Sequence, residues 1–191
     1  MRSIVLASQS PRRKQLLEWA EVSFEIFARE TAETYPAGLA TADIPVYIAR
    51  AKAEAVRGDI GTDRIILAAD TVVVLDEQII GKPKDPADAV RMLSLLSGRK
   101  HQVITGVVLM QGEKAVSFSE LTEVNFHPLS QEQIRFYVEK YKPFDKAGAY
   151  AIQEWIGVTG IESIRGDFYN VMGLPVSKVV QLLEQFQAGN K

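Results

Sequence analysis

The chain has no cysteine and only two histidines among its 191 residues. Without cysteine there is no disulfide framework, thiolate zinc site, iron–sulfur cluster or cysteine nucleophile. His101 and His127 stand far apart in sequence, with no carboxylate or hydroxyl partner at motif spacing, so structural roles are expected for both. Charge of one sign is also missing. The 22 basic and 24 acidic side chains leave a formal net charge of −2. A surface that coats nucleic acid needs many cations together, so no nucleic-acid partner is expected. Long apolar runs are absent too, and none approaches the roughly 20 residues that span a bilayer, so no membrane partner is expected. The run Ile4–Ala7 is too short for a secretory leader and is soon followed by Pro11, Arg12 and Arg13. The expected location is the cytoplasm.

What remains is ample material for a core, since 47% of the residues are hydrophobic. The length suits a single domain over residues 1–191, with a lobe boundary considered near Pro128. Strand and helix patterns alternate. Ile4–Ala7 reads as a buried strand, and Ser10 with Pro11 as the cap and first turn of a helix burying Leu16, Leu17 and Ala20. A short strand follows at Phe24–Phe27, and then a loop over 28–42. A helix over about 44–57 carries the apolar stripe Ile44, Ile48, Ala51 and Ala55. Arg64–Leu75 is a long strand pattern, with a turn at Asp76–Gln78 and a short return at Ile79-Ile80. Asp85-Pro86 opens a helix, Gln102–Met110 and Ala115–Phe126 form a hairpin, and Ser130 with Gln133 makes a capping box. Pro143 ends that helix, and a last one runs from about Pro175. This interleaving predicts an α/β fold with a mixed sheet.

Several segments carry groups suited to chemistry. Ser8-Gln9-Ser10-Pro11-Arg12-Arg13-Lys14 links a strand to a helix start, where unpaired N–H groups and the helix dipole attract phosphate. A Ser-capped helix with solvated basic residues is the plainer reading. Asp70 interrupts the apolar run Ile65–Leu75. Burying it unpaired would cost several kcal/mol, so it needs a cation, a metal or hydrogen-bond donors. Lys52 lies about 70° from the centre of its helix's apolar stripe, on the border of the buried face, where it can snorkel or reach inward. Lys82 is held in a restrained turn by Gly81 and Pro83, and on its own a surface lysine is the plainer reading. Glu30 and Glu33, in the long loop, can join Asp70 around a hard divalent cation, or simply be solvated. The Gln153 amide offers a donor and an acceptor to a base edge, or to its own protein. No Gly-x-Ser-x-Gly elbow and no P-loop occurs.

Taken in order, these pieces resemble one family. The segments Leu6–Arg13, Ala68–Val73, Gly81-Lys82-Pro83, Ser97-Gly98, Thr105-Gly106, Asp145–Gln153 and Gly173-Leu174-Pro175 resemble the Maf family of nucleoside triphosphate pyrophosphatases along nearly the whole chain. The resemblance implies a single α/β domain with a mixed, elongated twisted sheet flanked by helices and a central cleft, like the inosine triphosphate pyrophosphatases. It also implies hydrolysis of a nucleoside triphosphate to a monophosphate and pyrophosphate. Arg12, Thr71 and Gln153 resemble the branch acting on dTTP and UTP; the branch acting on 7-methyl-GTP typically has a bulky aromatic, Gln and Glu there. Ala151 departs from the pattern, because glycine is common at that place.

With that resemblance, Ser8, Ser10 and the helix start are expected to grip phosphate. Arg13, Lys52 and Lys82 are expected to offset triphosphate charge, and Glu33 and Asp70 to position Mg2+ or Mn2+. Asp70 is the candidate general base, and Arg12, Thr71 and Gln153 are expected to read the base. A carboxylate is a weak base at neutral pH, so the metal is expected to share in activating water. A homodimer is implied by the resemblance alone. The competing reading is a non-catalytic nucleotide sensor acting in septum formation through a partner.

Overall fold

The computed structural model describes residues 3–188. Strand β1 (Ile4–Leu6) is wholly buried, as a run of Ile, Val and Leu without polar alternation requires. It pairs in parallel with β2 (Phe24–Ile26) on one side and β3 (Ile66–Leu75) on the other. Parallel neighbours need crossovers. Helix α1 (Pro11–Trp19) connects β1 to β2, and α2 (Ile44–Ile60) lies between β2 and β3. Strand β4 (Gln78–Ile80) folds back antiparallel on β3 through Asp76 and Glu77, both at positive φ. That conformation is the one a two-residue hairpin turn demands. After α3 (Pro86–Leu96), strands β5 (Lys100–Gln111) and β6 (Lys114–Phe126) are joined by the turn Gly112-Glu113.

The remaining elements are α4 (Gln131–Tyr141), α5 (Trp155–Gly160), β7 (Ile161–Arg165), α6 (Phe168–Met172) and α7 (Val176–Ala188). Among the described residues the sheet has seven strands, in the order β2-β1-β3-β5-β6-β7 with β4 beside β3. With parallel and antiparallel pairs in one sheet, the expected mixed α/β fold is what the chain adopts.

Chain contacts group the residues into two compact units. The first takes the chain up to Asp70, Thr105–Glu120 and everything from Gly173 onward; the second takes Thr71–Ile104 and Leu121–Met172. The first unit's core joins Val5 and Ala7 of the β1 segment, Ala49, Ala53 and Val56 of α2, Ile66 and Ala68 of β3, and Val108 and Met110 of β5. The second unit's core includes Leu93 and Leu96 of α3, Phe126 of β6, and Ile134, Tyr137 and Val138 of α4.

Local expectations hold at most caps. The Asp85 side chain accepts from the Asp88 N–H, and Ser130 with Gln133 completes a reciprocal capping box. Ser10 is different: it sits at the N-cap, but its side chain makes no capping bond. Instead its own N–H donates to Ser8 Oγ at 3.2 Å.

The inward face of α2 also differs from the expected stripe. Ala51 and Ala55 are only half-buried, whereas Pro45, Ile48, Ala49, Ala53 and Val56 are buried. At roughly 100° per residue this moves the centre of the face to within about 20° of Lys52. Small alanines lie on both flanks of the helix, so composition alone did not distinguish the two faces. The consequence is that Lys52 sits in the middle of the buried face, between Ile48 and Val56.

One glycine sets where α2 lies. A Cβ on Gly106 of β5 would fall 2.2 Å from the Val46 nitrogen and 2.3 Å from the Pro45 carbonyl carbon. Both are backbone atoms of the first turn of α2, so no side chain can rotate away. Gly106→Ala is expected to destabilise the protein by about 3 kcal/mol or more. An unchanged denaturation midpoint would show that the helix start yields.

In the second unit, His101 is buried, with its Nε2 2.8 Å from the Tyr150 hydroxyl oxygen and edge-on ring contacts to Phe126 and Tyr150. Burial pulls its pKa down to about 4, with a backbone hydrogen bond at Arg99 opposing. The structural role expected for His101 fits this neutral, packed ring. Between pH 6.5 and 4 the unfolded chain takes up this proton and the folded chain does not, so stability falls as pH falls through that window. The group's contribution to the loss is about 2–3 kcal/mol. Chemical denaturation of wild type and His101→Asn at pH 7 and pH 4.5 should show a smaller acid loss in the variant.

Candidate active site

The chain leaves buried β1 at Ala7 and presents Ser8, which is itself buried. Ser8 Oγ accepts two hydrogen bonds, from the Ser10 N–H and from Arg13 Nη1 at 3.1 Å. Arg13 is one turn into α1 and equally buried, and its Nε donates to the Gly173 carbonyl at 2.8 Å. The guanidinium is thus held from two sides, by the loop after β1 and by the turn before α7. Burial lowers its pKa, while the nearby Asp70 raises it, Arg12 lowers it and Glu33 raises it. An arginine keeps its proton through such shifts, so the site carries a permanent buried cation.

The same unit holds a second charged group. From the middle of α2's inward face, Lys52 reaches Asp70 Oδ1 at 2.6 Å and Glu33 Oε1 at 2.9 Å. Asp70, near the middle of β3, is nearly as buried as its strand neighbours. The carboxylate that had to find a cation has found one. Glu33 comes from the loop before α2 and stays exposed. Glu30 does not join them: among the described residues, no three His, Cys, Asp or Glu side chains are grouped to hold a metal ion. The three-carboxylate set is therefore replaced by a pair that shares one ammonium. Two carboxylates are hard oxygen donors of the kind magnesium takes alongside water and substrate phosphate.

Arg12, half-buried, stands next to Arg13 in the first turn of α1. So the first unit brings together Ser8, Ser10 and Arg13 in one hydrogen-bonded group, and Glu33, Lys52 and Asp70 in another. The electrostatic influence of Asp70 and Glu33 on Arg13 links the two groups.

The second unit carries the other expected residues. Thr71 follows Asp70 on β3 and is half-buried. Lys82 is exposed on the loop after β4, with Pro83 buried behind it. The Gly81 carbonyl accepts from the Gly148 N–H at 3.0 Å, which ties the Lys82 loop to the segment leading to Gln153. Gly148 has φ 69°, and a Cβ there would come within 3.0–3.3 Å of the Val73 side chain. Gln153 is exposed.

Three neighbours of Gln153 were not among the expected site residues. Lys146 is buried and paired with Asp145 at 2.8 Å and Glu154 at 3.5 Å. The Tyr137 hydroxyl donates to Glu154 and accepts from the Ala151 N–H at 3.2 Å. The sequence signal for Lys146 was a charge inside the mostly apolar stretch from Pro143 to Ile152. Tyr137 gave no such signal, because it continues the apolar face of α4. Ala151, the departure from the family pattern, is not at positive φ, so the backbone does not need glycine there.

Residues 3–186 match the family described as Maf-like protein. The chain belongs to the Maf family. A Cytophaga hutchinsonii protein named dTTP/UTP pyrophosphatase is 53% identical over 182 residues, which cover 95% of this chain and 83% of that protein. A Porphyromonas gingivalis protein of the same name is 50% identical over 190 residues, covering 98% and 96%. Among solved structures, the Staphylococcus aureus Ham1 protein matches this Maf chain over 100% of both chains at 17% identity, with a TM-score of 0.52. That likeness concerns the fold alone and agrees with the mixed sheet described above.

Removing the Lys52 charge would leave Asp70 buried without its cation. Lys52→Met should therefore cost about 1–3 kcal/mol, less than a fully buried pair because Glu33 is exposed. Thermal or urea denaturation measures this, and a variant as stable as wild type would mean that the ammonium does not compensate Asp70.

Proposed function

We propose that this Maf protein hydrolyses nucleoside triphosphates, dTTP and UTP foremost, to the nucleoside monophosphate and pyrophosphate. The observation that carries the reading is the part-buried ammonium of Lys52 bonded to both Asp70 and Glu33, beside a buried Arg13. Compensated carboxylates next to phosphate-binding cations are what attack on phosphorus requires. The shared name of the Cytophaga and Porphyromonas relatives supports the substrate class, and supports catalysis over nucleotide sensing without turnover.

In this reading Ser8, Ser10 and the N–H groups at the start of α1 bind phosphate oxygens. Arg13 and Lys52 offset charge on the phosphates, and Lys82 takes the charge that grows on the leaving pyrophosphate. Water attacks the α-phosphorus, the bond to the α,β-bridging oxygen breaks, and the water proton passes to Asp70. It arrives at the carboxylate oxygen opposite the one that accepts from Lys52. Lys52 thereby orients the base as well as compensating it. Glu33 and Asp70 would hold a magnesium or manganese ion, whose chemistry is to polarise phosphoryl oxygens and make the attacking water more acidic. Arg12, Thr71 and Gln153 read the pyrimidine base. The family resemblance supports a homodimer working in the cytoplasm, with nucleotide-pool cleaning and an effect on septum formation as its cellular roles. No helix among the described residues is long and apolar enough to cross a membrane.

The deciding assay is pyrophosphate release from dTTP, UTP, CTP, GTP and 7-methyl-GTP with magnesium, against an EDTA control. Release from dTTP and UTP well above the others is expected, and EDTA should abolish it. Asp70→Asn should lower kcat by at least about 100-fold, in line with loss of a general base, while the protein stays folded. Preference for 7-methyl-GTP would overturn the base-reading assignment. Near-wild-type kcat in Asp70→Asn would remove Asp70 from the chemistry.

A further inference from the structure

The residue proposed to read the base has a support that the catalytic reading does not use. Gln153 is exposed, and a glutamine amide presents either its oxygen or its nitrogen with similar ease. Uracil and cytosine differ by an exchange of donor and acceptor on one edge. Discrimination therefore depends on where the backbone holds the amide, and on how firmly. That backbone is fixed on both sides of Gln153 by one buried group. Two residues before it, the Ala151 N–H donates to the Tyr137 hydroxyl at 3.2 Å. Immediately after it, the Glu154 carboxylate accepts the Tyr137 proton. The turn is closed by the Glu154 N–H donating to the Ala151 carbonyl at 3.1 Å.

The anchor is itself closely packed. Tyr137 is fully buried on α4 and stacked on Tyr141, with ring centroids 5.0 Å apart. Lys146 holds the Glu154 carboxylate from the other side at 3.5 Å and is in turn paired with Asp145. Burial first, and then the bond to Glu154, push the Tyr137 phenol well above its ordinary range. Its proton stays in place at any assay pH, so the hydroxyl remains a donor to Glu154 and an acceptor from Ala151.

We infer that Tyr137 is a positioning residue for base selection, clamping the turn Ala151–Glu154 so that the Gln153 amide meets the pyrimidine edge in one orientation. Tyr137 touches neither the substrate nor the reacting atoms; it acts through Gln153. The inference rests on the assignment of Gln153 as a base-reading residue, and the test separates the two.

The ratio of kcat/KM for UTP over CTP is measured in wild type, Tyr137→Phe, Gln153→Ala and the double variant, with thermal unfolding followed in each. Phenylalanine keeps the ring and removes only the clamp. Tyr137→Phe should lower the ratio about 10-fold, mainly by raising KM for UTP, while kcat for UTP stays within about threefold, as expected for loosened positioning. In the Gln153→Ala background the same substitution should leave the ratio unchanged. A purely structural tyrosine would lower the unfolding temperature without moving the ratio, and that result overturns the inference. So does an equal drop in the ratio with and without Gln153. If Gln153→Ala alone leaves the ratio at the wild-type value, the base-reading assignment fails and the clamp falls with it. Should Tyr137→Phe not fold, Glu154→Ala removes the other end of the clamp from a partly exposed position. It carries the same expectation, and an unchanged UTP over CTP ratio in that variant counts against the clamp.

Discussion

The Lys52 ammonium, held between Asp70 and Glu33, is the contact on which the arrangement of the proposed site depends. A carboxylate in the middle of a buried strand is costly unless a cation meets it. That cation must come from an element packed over the strand, so α2 has to lie with Lys52 pointing down. Gly106 permits this, since any side chain there would run into the backbone at the start of α2. The alanines Ala49 and Ala53 beside Lys52 are small and wholly buried, which lets the helix lie close. A backbone constraint in β5 thus decides whether a charge in β3 is compensated.

Arg13 shows how a cation is held in a buried position. Two of the bonds that hold it go to neutral groups, a serine hydroxyl and a backbone carbonyl, and Asp70 and Glu33 act on it electrostatically. Lys52 bonds directly to two carboxylates, and Arg13 stays protonated despite its burial. In the proposed reaction Lys52 organises the acidic pair, and both cations offset phosphate charge. The Gly173 carbonyl bonded to Arg13 gives the Gly173-Leu174-Pro175 segment a role that its position far along the chain conceals.

Around Gln153 the second unit uses the opposite strategy. The exposed Gln153 sits above a frame of buried Tyr137 and Lys146 and partly exposed Glu154, whose bonds run largely to one another and to the local backbone. The Gly81–Gly148 bond connects that frame to the loop bearing Lys82.

Much of this was legible in the residue order, because it depends on local physics. The mixed α/β alternation, the Asp85 and Ser130 caps and the turn at Asp76-Glu77 follow from periodicity and from side chains acting within a few residues. The need of Asp70 for a partner was equally plain, since desolvation of a lone carboxylate is unfavourable in any fold. What the sequence could not supply was the partner's identity and the direction of each helix. Alanine marks both flanks of α2 alike, so the sequence pattern sets Lys52 at the border of the inward face, whereas packing sets it at the centre. Ser10 stands at the helix N-cap as its position predicts, but its side chain makes no capping bond, and its N–H donates to the same Ser8 oxygen that accepts from Arg13. Tyr137 looked like any core aromatic until its hydroxyl met Glu154 and Ala151. By itself, then, the sequence determined the elements, the family pattern and the presence of an unusual buried charge. The tertiary structure alone decided which cation meets which carboxylate and which hydroxyl holds which turn, because those bonds join residues distant along the chain and form only after packing brings them within hydrogen-bond reach.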